Sequence, residues 1–244
     1  LFRTSTIHRF LILGAMPDNL IRFLTDHFYI PLYLFTWLIS VIRYKRFYDT
    51  PLKYLPMLII YTFFTEVLGY FIKYYNEFVF FSDGRYAWHN VIIYNVYQIV
   101  FFLFFFEVYR KVSKNKAIKK QIRYLSILCA IVYLINGITY NPLHNQMTYA
   151  HIVGSFMMLY ILVLYFREIY LEKISHPTKY NLLFWISSGL MVFYSIFPII
   201  SIIYLLDLNI GIQIYFRPLL LTAIALMYIL VNIGLIFGKR KAFK

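Results

Sequence analysis

The chain has one cysteine, Cys129, and it lies inside an apolar run. A disulfide framework and a thiol metal site are both excluded by that count, which leaves a buried structural thiol. Charge is scarce too. Only 14% of the 244 residues are charged, against about a quarter in an ordinary globular domain. Acids are the scarcest, with 10 Asp and Glu beside 24 Lys and Arg. Residues 124–166 contain no Asp, Glu, Lys or Arg at all. The hydrolase signatures G-x-S-x-G and H-E-x-x-H do not occur, and there is no phosphate loop. Residues 214–237 contain no lysine, which counts against a retinal Schiff base of the microbial-rhodopsin kind. No Pro-Gln pair is present, which counts against sugar carriers of the PQ-loop type.

What fills the chain instead is apolar and aromatic. Hydrophobic residues make up 61%, Tyr and Phe number 25 each, and mean hydropathy is +0.67. These values belong to polytopic membrane proteins, and the aromatic load suits lipid-facing and interfacial positions. The net charge of +14 would serve nucleic-acid binding only as a basic surface on a soluble fold. Here the basic residues fall in short clusters between apolar runs, so no nucleic-acid partner is expected. The expected partner is the bilayer, with anionic lipid drawn to the basic clusters. A docked protein partner on the richest cluster, residues 108–123, is the alternative.

A helix needs about 20 apolar residues, within a range of about 17–25, to cross the hydrocarbon. Seven segments qualify, at about 28–44, 54–73, 89–109, 121–139, 149–170, 180–204 and 214–237. The charge-free stretch 124–166 is too long for one span, and Asn141-Pro142 splits it, because the residue before proline disfavours helix. The expected fold is thus all-α, a polytopic bundle of seven transmembrane helices forming one domain over residues 16–244. Residues 1–15 read as an upstream or disordered segment, with Met16 as the expected start. Eighteen of the 24 Lys and Arg residues fall in the connections 1–2, 3–4 and 5–6 and in the C-terminal tail. The positive-inside rule then predicts an outside N-terminus and a cytoplasmic C-terminus.

One carboxylate breaks the apolar pattern. Glu66 lies in the middle of the second segment, IIYTFFTEVLGYFIK. A charge at that depth costs at least about 2.5 kcal/mol on insertion scales, so it must be protonated, paired or wet. Other polar residues fall at similar depth. Asn90, Tyr94 and Gln98 are spaced i, i+4, i+8 and share a helix face, with Asn95 beside it. Asn136 lies in the outer half of the fourth segment, and Arg217 near the outer end of the seventh. The expected ligand site is an outward polar pocket of Glu66, Tyr94, Asn95, Gln98, Asn136 and Arg217. The bland alternative is a structural acid acting as polar glue between helices. His89, His144 and His151 all fall near the outer surface, but their gaps do not match metal-ligand spacing. Interfacial hydrogen bonding is the better reading for them, and no cofactor is expected. Gly234 and Gly238 form a G-x-x-x-G pair, and Trp185 with Ser187, Ser188 and Gly189 reads as a helix-packing notch.

The sequences RYKRF at 43–47, KYLP at 53–56, TEVLGY at 65–70 and IYNVYQIVFFLFFF at 93–106, together with the short first segment after Met16, carry a resemblance. The chain resembles small seven-helix membrane proteins of Bacteroidota-type bacteria, from Met16 to its end. That resemblance implies a bacterial inner-membrane protein and brings no catalytic residues with it. The functional expectation is a multi-pass membrane protein, non-enzymatic, receptor-like or carrier-like, with a small or lipidic ligand at Glu66. The alternatives are an intramembrane lipid-modifying enzyme with Glu66 as acid/base, and an accessory subunit that docks a partner through the basic 3–4 connection.

Overall fold

The computed structural model describes residues 25–78, 80, 91–171, 178–206 and 215–239. Among these residues the chain is all-helical, without strands, and seven long helices follow one another. They are α1 (Tyr29–Ile42), α2 (Leu55–Tyr74), α3 (Val91–Val112), α4 (Lys116–Thr139), α5 (Thr148–Leu171), α6 (Leu182–Leu205) and α7 (Phe216–Phe237). Six of them, α2 to α7, are long and apolar enough to cross a membrane. The exception is α1, whose 14 residues reach only about 21 Å. It ends two residues before the expected boundary because the chain tightens there. The Arg43 amide bonds the Ile39 carbonyl, and a 3₁₀ turn, Tyr44–Arg46, follows. The expected segment at residues 1–15 lies outside the described residues.

Local chemistry sets the other ends. Asn115 caps α4, its side chain accepting from the Ala117 amide at 2.8 Å, and Asn181 caps α6 in the same way through Leu183 at 3.0 Å. An Asn at this position satisfies an amide that the helix leaves without a partner. The Asn115 cap starts α4 earlier than the apolar run does. Lys116, Lys119, Lys120 and Arg123 therefore stand on the first turns of α4 rather than in a loop. The turn expected at Asn141-Pro142 is present, with Asn141 Oδ1 accepting from the Leu143 amide at 3.0 Å.

Each helix packs on its sequence neighbours, and α1 packs on α7, which closes the order into a ring. In addition α3 touches α5 across it. There Gly154 is seated on the Phe102 ring, so near that a Cβ on residue 154 would meet ring atoms at 2.5 Å. The α6–α7 pair is equally close. A Cβ on Gly189 would stand 2.9 Å from the Met227 carbonyl oxygen, and one on Gly234 would stand 2.7 Å from Trp185 Cβ. The G-x-x-x-G pair is thus used within the chain. By contrast α4 buries only a stripe, Ile122, Cys129, Tyr133 and Asn136, and leaves Ile127, Leu128, Ile131, Leu134, Ile135 and Ile138 exposed. A water-soluble monomer rarely shows so continuous an apolar face; a bilayer accommodates it.

The two ends of the bundle differ in charge. Of the described Lys and Arg residues, all but Lys73 and Arg217 lie at the end where α1, α3, α5 and α7 terminate. Side chains stitch that end together. Arg46 donates to the carbonyls of Ile236 at 3.1 Å and Gly238 at 2.9 Å, where a cation suits the negative end of α7. Glu168 accepts from Ser113 Oγ at 2.9 Å and from the Asn115 amide at 3.2 Å. Glu107 is clamped by Arg110 through two bonds of 2.7 Å each.

Candidate functional site

Glu66 lies eleven residues into α2 and eight from its end, hence about 16 Å and about 12 Å from the helix termini. The side chain is half-buried. Its Oε2 accepts a hydrogen bond from the Tyr94 hydroxyl of α3 at 2.9 Å. Oε1 has no hydrogen-bond partner among the described residues. Four more tyrosine hydroxyls lie within electrostatic reach of the carboxylate: Tyr29 and Tyr33 of α1, Tyr97 of α3 and Tyr228 of α7. The rings of Tyr33 and Tyr228 approach to 4.5 Å between α1 and α7. One turn before Glu66, the hydroxyls of Thr62 and Tyr97 are hydrogen-bonded at 3.1 Å. The site therefore sits where α1, α2, α3 and α7 converge.

Toward the less charged end, the site is capped by aromatic side chains around His27. His27 is buried at 7% exposure. Its Nδ1 is hydrogen-bonded to the Tyr29 hydroxyl at 3.0 Å, and its Nε2 stands 3.5 Å from that of Tyr74. The Tyr70 ring meets it edge-on at 5.0 Å. Burial lowers the His27 pKa below its usual 6.5, with Arg217 and Lys73 adding to the effect and Asp26 opposing it. Burial thus favours the neutral imidazole.

The other expected site residues are engaged elsewhere. Asn95 is buried and turned to the α4–α5 connection. Its amide group donates to the carbonyls of Pro142 at 2.8 Å and Asn145 at 3.0 Å, and its oxygen accepts from the Met147 amide at 3.0 Å. Asn136, also buried, accepts from the Ala150 amide in the first turn of α5 at 3.1 Å. Gln98 donates to the Tyr194 hydroxyl of α6 at 3.1 Å. Arg217 is exposed at the start of α7. Of the six residues, then, the structure brings Tyr94 to Glu66 and sends Asn95, Asn136 and Gln98 to other partners.

Of the three histidines, His89 lies outside the described residues, as does Asn90. His144 is half-buried in the α4–α5 connection. His151 is buried in the first turn of α5, with its ring 5.8 Å from that of Tyr133. Neither nitrogen of His151 nor the Tyr133 hydroxyl has a hydrogen-bond partner among the described residues. No group of three or more His, Cys, Asp or Glu among the described residues is placed to hold a metal ion.

Two voids adjoin the site. A cavity of about 30 Å³ lies inward of Thr62, between α2, α3, α6 and α7, and Leu58, Phe105, Leu190 and Met227 line it. That volume is room for about two water molecules. A groove of about 440 Å³ runs along the outer surface between α2 and α3, lined by Tyr61, Phe64, Leu68, Ile92, Val96 and Leu143.

Reading the sequence did not single out Tyr29, Tyr33, Tyr97, Tyr228 or His27. The one available signal was the i, i+4 spacing of Tyr29 and Tyr33, which puts both on one face of α1. Compared with known proteins, the chain matches no family model, no curated protein and no solved structure.

Proposed function

We propose that the chain is an inner-membrane protein of seven spans that binds a small or lipidic ligand at Glu66, without catalysing a reaction. The carrying observation is a half-buried carboxylate in the middle of an apolar helix, held by one phenol, with the other oxygen unpartnered among the described residues. Ionisable groups at such depth mark functional sites by default. An enzyme would need a second catalytic group free to act on a substrate; Tyr94 already donates its proton to Oε2, and among the described residues no histidine, lysine, cysteine or second acid is bonded to Glu66. Binding is therefore the better-supported reading.

The orientation follows from charge. The end that carries Arg46, Lys114, Lys120 and Lys239 faces the cytoplasm by the positive-inside rule, which puts the C-terminus inside, the N-terminus outside and Glu66 nearer the outer face. The α1 helix completes the seventh span with help from its flanks, since a short span is accommodated by local thinning or by snorkelling side chains.

The deciding experiment is carboxyl infrared difference spectroscopy of the protein in nanodiscs, compared with Glu66→Gln. A band that titrates between about pH 5 and 8 and is missing in the variant supports a water-accessible binding group. A protonated band unmoved up to about pH 9 makes Glu66 a sealed structural acid and ends the proposal.

A further inference from the structure

The chemistry around Glu66 narrows the class of ligand, an inference that rests on the reading of Glu66 as a ligand site. The described ion pairs near the helices belong to Glu107, with Arg110 and Lys111; Glu66 has none among the described residues. The two described cations at its end of the bundle, Lys73 and Arg217, form no ion pair with it. Lys73 is exposed with its ammonium 5.3 Å from the Tyr74 ring centroid, and Arg217 is exposed.

The group bonded to the carboxylate among the described residues is a phenol, that of Tyr94. Tyr29, Tyr33, Tyr97 and Tyr228 interact with the carboxylate electrostatically. The Tyr94 O–H offsets part of the carboxylate's charge, but a neutral phenol brings no net positive charge, and the faces of aromatic rings are negative. An anion is repelled by such a site. A neutral hydrogen-bond donor would satisfy Oε1 but leave the charge uncompensated in a poorly solvated place. A cation does both, and tyrosine rings are good neighbours for an alkylammonium group. The outward cap is aromatic as well: Tyr29, Tyr70 and Tyr74 face His27.

We infer that the Glu66 site takes an alkylammonium cation, with Glu66 as its counter-charge and the tyrosines of α1, α3 and α7 around it. The ammonium belongs either to a soluble amine or to the headgroup of an aminophospholipid whose chains remain in the bilayer.

The test uses the full chain in phosphatidylglycerol nanodiscs and follows the Glu66 carboxylate band by infrared difference spectroscopy. Methylammonium chloride and tetramethylammonium chloride are the soluble probes, sodium chloride at equal ionic strength is the control, and a second nanodisc preparation contains phosphatidylethanolamine. A saturable band change with an ammonium probe, absent with sodium chloride and absent in Glu66→Gln, supports the inference. A change produced by phosphatidylethanolamine alone assigns the ammonium to lipid, and one produced by methylammonium assigns it to a free amine. Glu66→Asp retains the charge and guards against a misfolded Gln variant; it should keep a displaced, saturable signal with affinity lowered no more than about tenfold, or about 1.4 kcal/mol. A carboxylate that titrates with pH but responds to no ammonium compound overturns the cation assignment and leaves the ligand-site reading standing. A carboxyl that neither titrates nor responds overturns both.

Discussion

Asn95 and Tyr94 are adjacent in sequence and point to different parts of the protein, so mutating each should give a different kind of defect. Asn95 is 2% exposed and makes three hydrogen bonds to the α4–α5 connection, through Pro142, Asn145 and Met147. A net hydrogen bond contributes about 1 kcal/mol in water and about 0.6 kcal/mol on average between membrane helices. Three bonds therefore give about 2–3 kcal/mol, and the orphaned Met147 amide, left unsatisfied, adds about 1 kcal/mol or more. Asn95→Ala should lower stability by about 2–4 kcal/mol in denaturant titration of the detergent-solubilised protein. Hydrogen exchange should locate the loss: the Met147 amide, and Ala150 through its neighbouring bond to Asn136, should lose protection before the amides of α6 and α7. Tyr94→Phe removes a single bond to a half-buried carboxylate and should cost about 1 kcal/mol or less, leaving Met147 protected. If Asn95→Ala leaves the exchange of Met147 unchanged while Tyr94→Phe unfolds the bundle, the division of labour drawn here between the two residues is refuted.

Three other outcomes are expected. Gly234→Ala places a Cβ 2.7 Å from Trp185 Cβ and 3.3 Å from the Leu182 carbonyl oxygen, so α6 and α7 must separate, at about 1–3 kcal/mol for overpacking; the thermal midpoint should fall by about 2–4 °C per kcal/mol. For His27 the folded pKa lies below the usual 6.5, through burial first and then Arg217 and Lys73 against Asp26. Its stabilisation is therefore complete above the unfolded pKa and disappears as pH falls through the folded one, among Tyr29, Tyr70 and Tyr74, which face it. The thermal midpoint should decline below about pH 6, and His27→Gln should flatten that slope. In intact cells a membrane-impermeant maleimide should label Asn145→Cys but not Lys114→Cys, while native Cys129, 2% exposed, should react only after unfolding; the reverse labelling pattern would invert the proposed orientation.

Segment boundaries and helix type were legible because they depend on terms that are local in sequence. Apolar run length, the Asn141-Pro142 turn and the absence of charge over residues 124–166 each act within a few residues, and six helices long enough to span followed from them. Two of the boundaries that moved were at capped or tightened ends. Asn115 extended α4 back to Lys116, and the 3₁₀ turn after Ile42 shortened α1; in both places one side chain or one backbone bond outweighed mean hydropathy. The site was legible in part, for a geometric reason. Helical periodicity fixes which residues of one helix share a face, and so it could put Tyr94 and Gln98 on one stripe. It carries no information about how that stripe is rotated against a neighbouring helix. That rotation is set by small contacts far apart in sequence, such as Gly154 on Phe102 and Gly189 on Met227. It separates Tyr94, which reaches α2, from Gln98, which reaches Tyr194 on α6, although both lie on the same face of α3. The same reasoning explains why the tyrosines of α1 and α7 were missed. In a chain with 25 tyrosines a given tyrosine carries little signal by itself. What distinguishes Tyr33 and Tyr228 is their ring contact of 4.5 Å, which exists only because α1 and α7 close the ring of helices beside Glu66.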